Sequence, residues 1–156
     1  MIPDSTPCDD VVIIGYGNTL RGDDGLGWIA AEFLAGVIQP CQAWVITCHQ
    51  LTIDLAEALS KSTLAILIDA CVGAEPGLIT CDEIQPGRND APPLHHHMPP
   101  ESLLACTEAL YGRAPRTILI TVAGESFEFG SDLSPAVKAA LPVVIKHVKS
   151  LLPDTV

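Results

Sequence analysis

Cations are scarce in this chain. Eight Lys and Arg stand against 19 Asp and Glu, a formal net charge of −11 over 156 residues. A field of that sign repels phosphate, which argues against nucleic acid and anionic membrane surfaces as partners. Long apolar runs are missing too: stretches such as Leu64 to Ile68 fall far short of the roughly 20 residues needed to cross a bilayer. The N-terminal MIPDSTPCDD is acidic where a secretory signal is basic, and it holds no apolar segment, so the expected address is the cytosol. No CxxC pair occurs among Cys8, Cys41, Cys48, Cys71, Cys81 and Cys106, which excludes zinc-ribbon and thioredoxin-type patterns. In a reducing compartment these thiols are expected to be mostly small core residues. Internal repeats and low-complexity segments are absent as well.

What is present suffices for a core. Hydrophobic residues make up 48% and charged ones 17% of the chain, a globular composition. The length fits one domain spanning residues 1–156, expected to be a monomer. VVIIGY (Val11 to Tyr16) reads as a strand leading through a Gly-rich loop into the helical pattern GLGWIAAEFLAGVI. AWVITC (Ala43 to Cys48) is a second strand, and TIDLAEALSK a short helix with Thr52 as N-cap. LAILID (Leu64 to Asp69) is continuously apolar up to its last residue, the mark of a strand buried on both faces of a parallel sheet. GLITCDEI (Gly77 to Ile84) follows too closely for a crossover helix and is expected antiparallel at an edge. Gln85 to Pro100 reads as a long loop, PESLLACTEALY as a helix closed by Gly112, and RTILITVAG as a fifth strand. A last helix opens at Ser134-Pro135, and Pro142 should kink or split it.

Right-handed crossovers from the first strand put the second on one side and the third on the other. The order 2-1-3 makes a topological switch point at the carboxyl ends of strands 1 and 3. Asp24 follows strand 1 and Asp69 ends strand 3, so two carboxylates distant in sequence converge on one crevice. Local readings compete. Asp23 or Asp24 can cap the following helix, which accounts for one of the pair, and Asp69 can cap its own loop. A dinucleotide reading of GYGNTLRGDDGLG fails because Leu20 stands where GxGxxG needs glycine, and no Walker lysine is present. Gly124-Glu125-Ser126-Phe127-Glu128 lacks the final glycine of a nucleophile elbow. Cys71 has no nearby cation in sequence to activate it. His95, His96 and His97 lie in the long loop; one imidazole with two carboxylates makes an N/O set suited to zinc or nickel.

Four segments in order, GxGNxLxxDDGxG (Gly15 to Gly27), IDAxxxxxPG (Ile68 to Gly77), HHMPPESLL (His96 to Leu104) and GExxxxGxxLSP (Gly124 to Pro135), resemble the maturation endopeptidases of nickel-iron hydrogenases over nearly the whole chain. That resemblance implies an α/β fold: three α/β/α layers around a mixed, mostly parallel five-stranded sheet of the phosphorylase/hydrolase-like kind. It implies a peptidase that removes a C-terminal extension from the hydrogenase large-subunit precursor after nickel insertion, cutting just beyond the CxxCxxH/R-type metal motif. It assigns the metal contacts to Asp24, Asp69 and His96, the two acids also being catalytic, and sets Gly17, Asn18 and Asp23 beside the substrate. His96 fits the pattern because Met98 and Pro99 then take its following places. Gln50-Leu51-Thr52 resembles the branch acting on soluble, bidirectional enzymes. Nickel would arrive with the substrate, with zinc or cadmium able to replace it in a crystal. The competing function is a non-enzymatic nickel-binding chaperone or metal-delivery module. Two acids sharing one crevice should also raise the pKa of at least one of them.

Overall fold

A computed structural model describes residues 10–87, 98–130 and 132–154. Five strands, β1 (Val11–Tyr16), β2 (Trp44–Cys48), β3 (Leu64–Val72), β4 (Ile79–Ile84) and β5 (Arg116–Gly124), form one sheet of order β2-β1-β3-β5-β4. All neighbours are parallel except β4 and β5, which run antiparallel. The 2-1-3 core of the order and the antiparallel edge strand agree with the sequence reading.

Four helices cover the sheet: α1 (Leu26–Val37), α2 (Ala56–Lys61), α3 (Pro100–Tyr111) and α4 (Pro135–Leu151). Strand alternation sorts side chains into two cores. Val11, Ile13, Ile66, Ile68 and Ile120 meet α1 and α4 on one face. Val12, Ile14, Tyr16, Ala65 and Leu67 meet α2 and α3 on the other. The result is three layers, as expected. Among the described residues no helix is long and apolar enough to cross a membrane.

Several local expectations are corrected. Strand β3 does not end at Asp69 but runs three residues further, because Ala70, Cys71 and Val72 stay in register with Val122, Ala123 and Gly124 of β5. Strand β4 begins at Ile79, two residues later than read. Helix α4 runs unsplit through Pro142, held by the apolar stripe Val137, Ala140, Val144 and Val148 that it buries on the sheet. Neither Asp23 nor Asp24 caps α1, whose N-cap is Gly25 without a side-chain hydrogen bond. Thr52 precedes a 3-10 turn, Ile53–Leu55, and does not cap it with its side chain. Of the five described cysteines none is fully buried; Cys41 and Cys81 are exposed.

The junction of β1 and α1 depends on absent side chains. A Cβ at Gly15 would collide with the Gly27 carbonyl and the Ala31 side chain, and one at Gly27 with the carbonyls of Ile68 and Tyr16. Backbone therefore lies on backbone, and the first turn of α1 sits directly over the ends of β1 and β3. Gly15→Ala is expected to lower unfolding free energy by about 3 kcal/mol, as overpacking of a tight contact does. Denaturant midpoints measure it, and a variant as stable as the parent would contradict the close approach.

Candidate active site

The loop after β1 is built by two hydrogen-bonded acids with different tasks. Asp24 turns back on its own loop, where the Asn18 backbone N–H donates to Asp24 Oδ2 at 2.8 Å. The Leu20 N–H donates to Asn18 Oδ1 at 2.9 Å, an Asx-type turn that closes the same loop. Gly17 makes the turn possible: its φ is +147°, and a Cβ there would strike the Asp24 carbonyl.

Asp23 points the other way and is fully buried. Its Oδ2 accepts from the backbone N–H of Glu125 at 2.7 Å and of Ser126 at 3.1 Å, and from the Ser134 hydroxyl at 2.8 Å. Its Oδ1 accepts from the Ser134 N–H at 2.7 Å. Burial pushes this carboxyl up, but the bonds from Ser134, Glu125 and Ser126 outweigh it and hold it below the usual carboxylate range. The Asp23 carboxylate is thus spent on the chain's own donors, and Asp23 is not among the residues lining the cavity beside Asp24. It clamps the loop after β1 to the segment after β5 and to the start of α4, and it takes the Ser134 hydroxyl that would otherwise cap that helix.

Asp24 and Asp69 line one cavity of about 290 Å³ together with Tyr16, Gly17, His49, Gln50, Leu51, Met98, Pro99 and Pro100. The structure therefore brings together the two acids and Gly17. Asn18 supports Asp24 through its backbone and is not among the lining residues, and His95, His96 and His97 lie outside the described residues. Asp69 Oδ1 accepts from the Ala70 N–H at 2.7 Å. Burial pushes the Asp69 carboxyl up to about 7; the Ala70 bond pulls it back, the Asp24 charge raises it further, and the Tyr16 hydroxyl bond lowers it. The rise anticipated from two neighbouring acids is present, but loss of hydration contributes more to it than their repulsion.

Two lining residues escaped the sequence reading. Tyr16 ends β1 and donates its hydroxyl to Asp69; burial and then that carboxylate push its phenol far above the ordinary value, so it stays a donor. His49 directly follows β2 and lines the cavity, its ring 5.0 Å from that of Trp28. The signal for both was position, since each stands at the carboxyl end of a strand flanking the switch point. Chemically, the two acids suit a divalent cation, offering oxygen donors with further coordination positions open. Among the described residues no cluster of three His, Cys, Asp or Glu side chains completes a metal site.

Asp69 and Asp23 shift stability with pH in opposite senses. Asp69 keeps its proton up to about pH 7 in the fold and releases it near the ordinary carboxyl value of 3.8 when unfolded. The folded state therefore binds more protons in that window, and stability falls as pH rises through it. Asp69→Asn is expected to melt several degrees above the parent at about pH 8 and to lose that margin near pH 4. For Asp23, whose pKa is depressed, the stabilisation is present above the unfolded value and disappears as pH falls through the folded one. Asp23→Asn should lose about 3 kcal/mol near neutral pH, because buried donors then face an amide instead of a charge. Thermal melts across pH test both signs.

No family model and no curated protein sequence matches the chain. Solved structures do. The hydrogenase maturating endopeptidase HybD from E. coli has a TM-score of 0.77 at 20% identity, covering 91% of each chain. The NiFe hydrogenase maturation protease HycI from Thermococcus kodakarensis KOD1 has a TM-score of 0.75 at 20% identity, covering 92% of each chain. A hydrogenase 2 maturation peptidase from a Thaumarchaeota archaeon has a TM-score of 0.69 at 22% identity, covering 91% of this chain and 97% of its own. The chain therefore has, over almost its entire length, the fold of the hydrogenase maturation proteases.

Proposed function

We propose that this protein is an endopeptidase that removes the C-terminal extension of a nickel-iron hydrogenase large-subunit precursor after nickel insertion. One observation carries the reading: Asp24 and Asp69, distant in sequence, meet in one cavity at the carboxyl edge of the sheet, in a fold shared with maturation proteases. An amide is a poor electrophile at neutral pH, and no serine, threonine or cysteine is among the described residues lining the cavity. A nickel ion carried by the substrate would supply what is missing, a Lewis acid for the scissile carbonyl or for water.

The chain's own residues supply placement and proton transfer. Asp24 is held by the Asn18 N–H on one oxygen, and the other would be its ligand to a cation. Asp69 is fixed by the Ala70 N–H and by the Tyr16 hydroxyl. Asp24 and Asp69 would hold the ion, and one of these carboxylates would accept the proton of an attacking water. His96 is the third protein ligand in this reading, and zinc or cadmium is an able substitute for nickel. Without the ion, two acids gain no attraction for the precursor, so cleavage is conditional on nickel insertion.

The test is incubation with nickel-loaded and nickel-free precursor, followed by gel mobility. Loaded precursor should be shortened and nickel-free precursor left intact. Asp24→Asn and Asp69→Asn should each reduce turnover by about a hundredfold or more, and His96→Ala should do so while His95→Ala and His97→Ala stay near the parent rate. Efficient cutting of nickel-free precursor by chelator-treated enzyme would indicate a metal-independent aspartic-type mechanism. Nickel-dependent binding without cutting would indicate a metal-delivery module.

A further inference from the structure

Helix α4 is out of keeping with the chain it belongs to. The sequence holds 19 Asp and Glu against eight Lys and Arg, yet the 17 residues of α4 include no acid and carry Lys138, Lys146 and Lys149. The helix dipole accounts for Lys149, in the last turn, and for neither of the others. The ion pairs among the described residues join Lys61 to Glu57 and Arg116 to Glu83, and none engages a lysine of α4.

Two of these lysines border a groove. Phe33 of α1 and Leu141, Pro142, Ile145, Lys146 and Lys149 of α4 line one cavity of about 420 Å³, on the sheet face opposite α2 and α3. It shares no lining residue with the cavity of Asp24 and Asp69. On α4 the lining positions fall at the spacing of one helical stripe, and at 1.5 Å rise per residue the stretch from Leu141 to Lys149 is about 12 Å long. Its chemistry is graded: Leu141 and Pro142 begin it, Ile145 continues it, and Lys146 and Lys149 end it. Phe33, 52% exposed, supplies the opposite wall. Glu32, beside it on α1, is not among the lining residues.

A cavity of this volume lies in the range of small-ligand sites, which are mostly apolar with a few placed polar groups. Ammonium groups without a carboxylate partner favour an anionic head, and the apolar stretch before them favours a tail of limited length. A second copy fits poorly, because a two-fold contact through the groove sets Lys146 and Lys149 against themselves. An anionic bilayer meets the net negative field of the whole chain, whereas a single molecule meets the local lysines. We infer that the groove between α1 and α4 binds a single-chain carboxylate amphiphile of medium length. Its acyl tail lies along Leu141, Ile145 and Phe33, and its carboxylate accepts from the ammonium groups of Lys146 and Lys149. The site stands or falls independently of the peptidase reading.

The probe is decanoate below its micelle concentration, measured by equilibrium dialysis against the full chain, with decanol as the tail alone and acetate as the head alone. Decanoate should saturate a single site, decanol should bind about tenfold more weakly, and acetate should not bind. Lys146→Ala/Lys149→Ala should weaken decanoate about tenfold and leave decanol unchanged, while Phe33→Ser should weaken both. Added salt should weaken decanoate and spare decanol. The side chains removed are exposed, so the unliganded variants should melt near the parent temperature, and decanoate should raise the melting temperature of the parent more than theirs. Equal affinity for decanoate and decanol, parent-like decanoate binding by either variant, or no binding by the parent would overturn the site. Co-sedimentation with phosphatidylglycerol vesicles that Phe33→Ser abolishes, or a dimer in solution that it dissociates, would give the groove another occupant and overturn the ligand.

Discussion

The carboxylate of Asp23 is the point on which the carboxyl edge of the sheet depends. Loops at the end of an α/β sheet have no ladder of their own, and here one buried anion substitutes for it with four hydrogen bonds to Glu125, Ser126 and Ser134. It joins segments more than one hundred residues apart in sequence, |i−j| being 102 to 111. Because Asp23 cannot move without exposing those donors, Asp24 beside it is held over the ends of β1 and β3. A carboxylate next to another carboxylate is costly, and the cost is tolerable only where the scaffold cannot relax it away.

A second constraint comes from the glycines. Gly15 and Gly27 let α1 approach β1 until backbone touches backbone, which brings the first turn of the helix to the strand ends. Asp69 arrives from the other direction, on a strand buried on both faces and continued past the site by its pairing with β5. One acid is thus set by a pinned loop and the other by the most internal part of the sheet. Both are rigid supports, which is what keeps two like charges side by side in one cavity.

The architecture was legible because its signals are local or handed. Apolar runs marked β1, β3 and β5, Pro100 and Gly112 bracketed α3, and the crossover rule turned three strands into an order with Asp24 and Asp69 in one crevice. What could not be read depends on partners remote in sequence. Asp23 looks like a helix cap until Glu125 and Ser134 are folded against it. The last residues of β3, Ala70 to Val72, look like a loop because only their register with β5 makes them a strand. Pro142 reads as a breaker, yet burial of Val137, Val144 and Val148 keeps α4 whole. Tyr16 and His49 carry no motif and become notable only once strand order shows where β1 and β2 end.

Strand β4 shapes how copies of the molecule meet. It lies at the sheet's margin, and Cys81, Asp82 and Glu83 in its middle are exposed. An edge strand is a template on which another chain can add itself. Asp82 and Glu83 alternate to opposite faces of that template; Glu83 is taken by Arg116 at 3.4 Å, so Asp82 carries the charge that a second copy docking edge to edge would meet. In a chain already at −11, a charged margin of this kind opposes edge-to-edge pairing of copies through β4.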